Sequence, residues 1–274
     1  MNCKLCGSES NYIFSKKILG KYDARYFQCK NCGFIQVQSP LWLNEAYADA
    51  ISSLDTGLVS RNLYVSPVVG KLIAEYFDPN KKFIDYGGGY GLFVRLMRDK
   101  GFDFYRQDKY CQNLFAQYFD ITDLQDNTKK FELLTAFELF EHLEDPIAEV
   151  KNMLVFSDSI LFSTELQPNN IKDHEDWWYF SPESGQHISF YTKKSLEALA
   201  EKLGLTLYTD NRALHLLTKK KFQKSPLLAG SYDIIYRIRR KLSALLSPSS
   251  GLQNKNESLT QKDNQFIKAK LKHD

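Results

Sequence analysis

From residue 82 onward, short apolar runs alternate with segments of helical periodicity. The apolar runs predict strands at 83–86, 102–107, 115–119, 131–136, 160–164, 205–208 and 214–218. Helices are predicted between them at 92–98, 146–154 and 195–203, the last ended by Gly204. Strand and helix in this alternation predict an α/β fold: a mostly parallel, seven-stranded Rossmann-like sheet with helices on both faces.

The two ends of the chain show other patterns. Residues 12–14 and 24–28 have the pattern of short ribbon strands, and 41–50 and 63–77 that of helices. In 234–246 the apolar positions fall within an arc of roughly 120° at the helical period, with basic side chains outside it. We therefore predict four segments: a ribbon at 1–40, a helical cap at 41–80, a core domain at 81–222, and a basic amphipathic helix with a mobile tail at 223–274.

A glycine-rich turn follows the first core strand. Residues 85–91 read Asp-Tyr-Gly-Gly-Gly-Tyr-Gly, and such glycines let the backbone adopt positive φ and let a ligand approach it closely. The spacing differs from the dinucleotide and P-loop fingerprints. It resembles motif I of the class I S-adenosylmethionine-dependent methyltransferases. The cofactor contacts predicted here are Asp85, Tyr86, Gly87, Gly88, Gly89 and Gly91.

Two acids follow the next two predicted strands. Asp108 lies about 20 residues beyond the glycine turn, where a carboxylate commonly binds a ribose diol; a strand-end turn is the alternative. Asp120 ends the third predicted strand and is predicted to contact the adenine amino group.

The run from 131 to 146, which includes Glu-His-Leu-Glu-Asp-Pro at 141–146, strengthens the resemblance. It is similar to the segment after the fourth strand in many class I methyltransferases, and by that resemblance Phe137 and Glu138 contact the cofactor. His142 matches by motif only, and packing or capping is the alternative for it. Tyr47 and Arg61 are candidate lid contacts; a core aromatic and a solvated arginine are the alternatives.

Four of the five cysteines form two C-x-x-C-G knuckles, while Cys111 stands alone. Two such knuckles can complete a tetrahedral four-sulfur zinc shell, which leaves no position for a catalytic water. We predict a structural zinc site, with a pair of disulfides or redox dithiols as the alternative. Its ligands are Cys3, Cys6, Cys29 and Cys32.

The loop at 167–191 carries the candidate chemistry toward an acceptor. It contains Trp177, Trp178, Tyr179 and Tyr191, whose rings suit stacking on a sugar. With the N-terminal cysteine knuckles, residues 185–192 resemble the substrate loop of deoxysugar C-methyltransferases, which implies His187 as a catalytic residue. Gln186 stands where that family has glutamate, and an amide cannot take a proton. We therefore expect methylation of a sugar, at oxygen rather than carbon, in polysaccharide or glycoside biosynthesis, with His187 as general base.

Charge bears on partners and location. Residues from 219 onward carry 13 Lys/Arg against 4 Asp/Glu, although the whole chain has a net charge of only +3. The residues before 219 therefore carry 23 Lys/Arg against 29 Asp/Glu. This acidic body argues against binding to nucleic acid. With no signal-peptide pattern and no apolar run of about 18 residues, we expect a cytoplasmic protein whose 234–246 helix could contact the inner face of a membrane or pack on the body. An RNA base methyltransferase that grips RNA with its ribbon and a non-catalytic cofactor-binding scaffold are the alternatives.

Overall fold

The computed structural model of the protein describes residues 1–48, 51–125, 128, 130–168, 177–227 and 259–271. The predicted amphipathic helix at 234–246 lies outside the described residues. In chain order the strands are β1 (Ser10–Ile18), β2 (Tyr22–Cys29), β3 (Ile35–Val37), β4 (Lys82–Tyr86), β5 (Asp103–Gln107), β6 (Leu134–Ala136), β7 (Ser159–Ser163), β8 (Ser189–Phe190), β9 (Thr206–Thr209) and β10 (Leu214–Thr218). The helices are α1 (Leu43–Ala46), α2 (Leu58–Tyr76), α3 (Leu92–Arg98), α4 (Pro146–Phe156), α5 (Lys193–Leu203) and α6 (Thr260–Leu271).

The core domain is built on a sheet with the strand order β5-β4-β6-β7-β10-β9. The first four of these strands are parallel, and β10 pairs antiparallel with both β7 and β9. Successive side chains of a strand point to opposite faces, so Phe83 packs in one buried cluster and Ile84 in the other. Helices α2 and α3 contribute to the Phe83 cluster, and α4 and α5 contribute to the Ile84 cluster. The predicted Rossmann-like α/β fold is confirmed.

This sheet has six strands among the described residues, one fewer than predicted. The predicted strand at 115–119 is not formed; the segment pairs with β5 through a single bridge between Arg106 and Asp120. Tyr118 has a left-handed φ of 69° and its side chain is exposed. An extended strand does not tolerate that conformation, so the apolar residues there do not extend the sheet.

The N-terminal segment forms a second, four-stranded sheet in the order β1-β2-β3-β8. Strand β8 belongs to the loop predicted to meet the acceptor, and it pairs antiparallel with β3 through Ile35–Phe190 and Gln36–Ser189. Next to this pairing, the Val37 amide donates to the Ile188 carbonyl at 3.1 Å. The N-terminal sheet therefore holds the residues that immediately follow His187.

The C-terminal residues predicted as a mobile tail include a helix, α6, that contacts the body. The Asn264 amide donates to the Leu54 carbonyl at 2.8 Å, and the Thr56 hydroxyl donates to the Thr260 carbonyl at 3.1 Å. Lys268 pairs with Glu183 at 3.2 Å. These bonds join α6 to both the cap and the 181–187 loop. No helix of the described residues is long and apolar enough to cross a membrane.

Candidate cofactor and acceptor site

The glycine turn leaves the carboxyl end of β4 as the sequence predicts. Gly87, Gly89 and Gly91 have φ values of 68°, 53° and 85°, a region that glycine occupies without strain. A Cβ placed on Gly89 would meet one atom within 4 Å, a methyl carbon of Ile51 at 3.4 Å. The backbone is therefore open at Gly89, and a ligand can approach it closely.

Asp85 supports the turn from beneath. Its carboxylate is buried and accepts a hydrogen bond from the Thr135 hydroxyl at 2.6 Å. Burial raises the pKa of Asp85 to about 7, although the Thr135 hydrogen bond opposes the shift. A Cβ on Gly88 would lie 2.8 Å from an Asp85 oxygen, so the turn can pass over this carboxylate only as glycine. The neighbouring Tyr86 ring is buried, and its hydroxyl donates to Glu149.

Asp108, just after β5, lies against the glycine turn. Its Oδ2 accepts a hydrogen bond from the Gly89 amide at 2.9 Å. Its Oδ1 accepts from the amides of Tyr110 and Cys111, each at 2.8 Å. The structure thus brings together the two cofactor elements predicted from sequence, a glycine turn and an acid at the end of the next strand.

Arg106 is a residue of this site that the sequence analysis missed. Its guanidinium is buried and donates to Asp120 Oδ1 at 2.6 Å and to the carbonyls of Gly89 and Cys111. Asn113 donates to the other Asp120 oxygen at 3.1 Å. Asp120 therefore lies at the predicted edge with both oxygens already bonded, and any contact with adenine would share them. The sequence signal that could have identified it is a charged residue inside a predicted strand, two residues before Asp108.

Phe137 and Glu138 follow β6. Phe137 packs edge-on against Phe93 with ring centroids 5.0 Å apart. Glu138 has a φ of 51°, rare for a residue with a side chain. Ser163 holds it there, because the Glu138 amide donates to the Ser163 hydroxyl at 2.8 Å and that hydroxyl donates to Glu138 Oε1 at 2.7 Å. Its Oε2 lies 3.7 Å from Arg61 Nε, so the cap contacts the site at this point.

The turn after β6 and the loop before β8 bring two histidines together. The rings of His142 and His187 have centroids 5.0 Å apart and meet edge to face. His187 Nδ1 lies 2.6 Å from the Tyr179 carbonyl, which can only accept, so Nδ1 carries the proton and Nε2 keeps a lone pair. Burial lowers the pKa of His187, and it holds the pKa of His142 well below the usual value. Both rings are therefore neutral at neutral pH.

A buried carboxylate completes this group. Glu141 is fully buried, and neither of its oxygens has a partner at hydrogen-bond distance. Burial and the charge of Glu138 raise its pKa to about 8, while its own backbone and the nearby hydroxyls of Tyr179 and Thr164 act in the opposite direction. Glu141 was not singled out from sequence, since only its place in the Glu-His-Leu run marks it. We call Glu141, His142 and His187 the histidine cluster.

A chain of contacts joins the cluster to the cofactor turn. The Tyr47 hydroxyl lies 2.8 Å from His142 Nδ1. The Tyr47 ring stacks on Tyr110 at 6.2 Å between centroids and 19° between planes. Since the Tyr110 amide donates to Asp108, the histidine cluster and the glycine turn adjoin.

The four predicted acceptor aromatics differ in exposure. Trp178 is 69% exposed, and Trp177 is half-buried against Phe180 and Phe190. Tyr179 and Tyr191 are buried, and the Tyr191 hydroxyl donates to the Phe140 carbonyl at 2.9 Å. Trp177 and Trp178 are thus the two that a ligand can reach in this structure.

The four predicted zinc ligands converge. Each offers a sulfur within 4.8 Å of the other three. Cys3 and Cys32 sulfurs are 3.7 Å apart and those of Cys6 and Cys29 are 3.4 Å apart, close to the edge of about 3.8 Å expected for a tetrahedral zinc site. All four are free thiols, and the hydrogen bond with Cys32 lowers the pKa of Cys3 to about 5. The donor set and spacing fit a four-sulfur metal site.

Known proteins resemble this chain in sequence and in fold. The family model described as a methyltransferase domain matches residues 62–210. Among solved structures, the chain is similar to an O-methyltransferase family 2 protein from Planctomyces limnophilus in complex with apigenin, at 12% identity and a TM-score of 0.43, covering 66% of each chain. It is also similar to magnesium protoporphyrin IX methyltransferase from Synechocystis with bound SAH, at 15% identity and a TM-score of 0.44, covering 65% of this chain and 93% of that one. A search of curated proteins finds no match.

Proposed function

Because the chain belongs to the methyltransferase-domain family and is an S-adenosylmethionine-dependent methyltransferase, we propose that it methylates a sugar at oxygen, with His187 as the general base. The reaction would serve polysaccharide or glycoside biosynthesis. The observation that carries the proposal is the tautomer of His187, whose Nδ1 proton is held by the Tyr179 carbonyl. A neutral imidazole with a free Nε2 lone pair can take the proton that a hydroxyl loses on methylation.

The cofactor supplies a methyl group on a positively charged sulfur. The residues that would hold it are the open backbone at Gly87 to Gly91, the Asp108 carboxylate beside it, and Phe137 and Glu138 at the end of β6. The fit is supported by the space above Gly89, where a Cβ would approach only a methyl of Ile51 within 4 Å. Asp85 and Arg106 act on the protein side, since both bind or support the turn from positions that are buried. Asp120 would reach adenine only by sharing its bonds.

Transfer to oxygen rather than carbon is supported at position 186. The Gln186 side chain is buried, and its amide donates to the Ala46 carbonyl at 2.8 Å. The Gln186 amide is therefore hydrogen-bonded to the cap, and it offers no basic group to the acceptor. A hydroxyl acceptor is far easier to deprotonate than carbon, and one histidine suffices as its base.

A sugar acceptor is supported by the kinds of side chain in the cap, after β6 and in the 167–191 loop. Trp178 offers an exposed flat ring, which suits the apolar face of a sugar. Glu138 and Asp55 offer carboxylates that can accept hydrogen bonds from sugar hydroxyls, and Arg61 lies between them, 2.7 Å from Asp55.

We further propose that the four cysteines hold a structural zinc ion. A four-sulfur shell leaves no open position for a substrate. Its effect on the reaction would be mechanical, because Thr192 donates to the Cys32 carbonyl at 2.6 Å and β3 pairs with β8. The metal would thus stabilise the sheet that carries the His187 loop.

The proposal is tested with labelled S-adenosylmethionine and a panel of free, nucleotide-linked and polymeric sugars, with cofactor binding measured separately by calorimetry. We expect the wild type to place the label on a sugar oxygen. The His187→Ala variant should bind cofactor as the wild type does and lose transfer. Label on a sugar carbon or on RNA would contradict the proposal, and RNA labelling would favour the base-methyltransferase alternative. A protein that binds no cofactor would exclude both enzyme functions.

A further inference from the structure

The histidine cluster gathers three metal-ligating side chains at one point. Glu141 and His142 lie in the turn after β6, and His187 lies just before β8, 45 residues along the chain. One potential ligand atom from each residue lies within 4.8 Å of those from the other two, and His142 Nε2 lies 4.0 Å from Glu141 Oε1. Ligands of one zinc ion at 2.0–2.2 Å are about 3.3 Å apart, so side-chain shifts of about 1 Å would close the three around an ion.

Both imidazoles are oriented as metal-ligating histidines usually are. His142 uses Nδ1 in a hydrogen bond with the Tyr47 hydroxyl, and His187 uses Nδ1 in one with the Tyr179 carbonyl. His142 Nε2 lies 4.0 Å from Glu141 Oε1, and the Gln186 backbone is also close to the His142 ring. A second hydrogen bond that fixes the ring and leaves the other nitrogen free is the common arrangement around protein-bound metals.

Glu141 supplies the second, independent observation. It is fully buried, and both of its oxygens lack a partner at hydrogen-bond distance in the described residues. Buried carboxylates are almost always hydrogen-bonded or bound to a cation, because an unsatisfied one is costly. Its ion-pair contact among the described residues is with the half-buried His142, whose Nε2 lies 4.0 Å from Oε1 and whose neutral ring does not balance a negative charge. A bound cation would satisfy the carboxylate and take one ligand nitrogen from each ring.

We propose that Glu141, His142 and His187 form a binding site for a divalent transition-metal ion, and that an ion there inhibits methyl transfer. Two imidazoles with one carboxylate suit Zn²⁺, Co²⁺ or Ni²⁺, whereas Mg²⁺ and Ca²⁺ prefer oxygen ligands. The inhibitory part rests on the proposed function, because an ion on His187 Nε2 removes the lone pair that accepts the proton of the acceptor. The site is distinct from the four cysteines, of which Cys29 ends β2 and the other three lie in or next to turns beside the N-terminal sheet.

The metal-binding part is tested by cobalt titration, followed by absorption spectroscopy and by metal analysis. Wild type, His142→Ala and Glu141→Gln are compared, with Glu144→Gln as the control because Glu144 is an exposed neighbour outside the cluster. All four proteins keep the four cysteines, so any thiolate-bound cobalt is common to them. Wild type and Glu144→Gln should bind one more ion per chain, without thiolate absorption. Each cluster variant should bind it at least about 10- to 100-fold more weakly, which is the cost of losing even a residue that only orients a ligand. Equal uptake by all four proteins would overturn the site.

The inhibitory part is tested by adding Zn²⁺ to proteins that are transferring methyl groups. Wild type and Glu144→Gln should lose activity as the extra ion binds, and a chelator should restore it. The residual activity of His142→Ala should not respond over the same range. A wild-type rate that rises with the extra ion would overturn the inhibition and, with it, His187 as the base. If no transfer is found at all, the proposed function fails while the cobalt result still decides the site.

Discussion

The glycine turn at 85–91 and the histidine cluster are joined by contacts through Tyr47 and Tyr110, yet they depend on different parts of the chain. The turn is one contiguous segment between β4 and α3, and it takes one further acid, Asp108, from the end of the neighbouring strand. The cluster is assembled from the turn after β6 and the loop before β8, and β8 belongs to the N-terminal sheet. Damage to the N-terminal sheet should therefore disable the acceptor side while the cofactor side survives.

Loss of the four-cysteine site should give the largest difference between the two sides: methyl transfer is lost while cofactor binding is retained. We expect Cys32→Ser to lose the proposed zinc ion and to unfold the N-terminal sheet, because structural zinc contributes on the order of 10 kcal/mol to folding in small domains. Transfer should fall at least ~100-fold, since displacement of a catalytic group by about 1 Å has that effect. Affinity for S-adenosylmethionine, measured by calorimetry, should be retained. Cys111→Ser is the control, and a Cys32→Ser protein with full transfer would disprove the coupling.

Removal of the base should affect transfer alone and leave the N-terminal sheet folded. We expect His187→Ala to reduce the rate of transfer by about 10²- to 10⁴-fold, with unchanged cofactor affinity. Because burial lowers the pKa of His187 below 6.5, the neutral form dominates at neutral pH. The wild-type rate should therefore hold down to slightly acidic pH and fall as the pH drops through this lowered pKa. A rate that keeps its acidic limb in the alanine variant would assign that limb to another group.

Asp108 tests the cofactor side alone. We expect Asp108→Ala to weaken cofactor binding about 10- to 100-fold, because hydrogen bonds to a charged group contribute about 1.5–3 kcal/mol. The same variant also frees the Gly89 amide and loosens the turn. Asp99→Ala, an exposed substitution at the end of α3, is the matched control. Equal affinity in the two variants, by calorimetry, would remove Asp108 from the site.

Trp178 should show the smallest effect. Its ring is exposed, so Trp178→Ala should leave folding and cofactor binding intact. We expect KM for the sugar to rise about 3- to 10-fold, in line with about 0.5–1.5 kcal/mol for an aromatic contact, with little change in kcat. Tyr118→Ala, which removes a comparably exposed ring outside the loop, should change neither parameter. An unchanged KM in the Trp178 variant would exclude this ring as an acceptor contact.

The arrangement of the glycine turn and Asp108 could be predicted because its signals are local. Asp85, the glycines and Asp108 all lie at the ends of adjacent parallel strands, and such ends meet at one edge of a sheet. Arg106 was not predicted, because the residues around it in the sequence do not show that its guanidinium donates a hydrogen bond to the Gly89 carbonyl. The strand predicted at 115–119 is wrong for a similar reason, since apolar content alone does not reveal the left-handed conformation of Tyr118.

The acceptor side could be predicted only in part. His187 was singled out as a candidate from its loop, but its tautomer depends on the Tyr179 carbonyl eight residues away in the same loop. Glu141 and His142 lie next to His187 because of tertiary packing. The pattern of apolar residues along the sequence does not reveal such contacts. Strand β8 has two residues, too few for an alternating pattern, and its partner β3 lies about 150 residues earlier in the chain. Contacts of that sequence separation are set by the whole fold.

The most direct test of the central claim is methyl transfer by His187→Ala and the wild type, both saturated with S-adenosylmethionine and offered the same sugar panel. Calorimetry on the same samples confirms equal cofactor occupancy. We predict that the wild type forms an oxygen-methylated sugar and that the variant, with its cofactor bound, forms about 10²- to 10⁴-fold less per unit time. Equal product from both proteins would contradict the account.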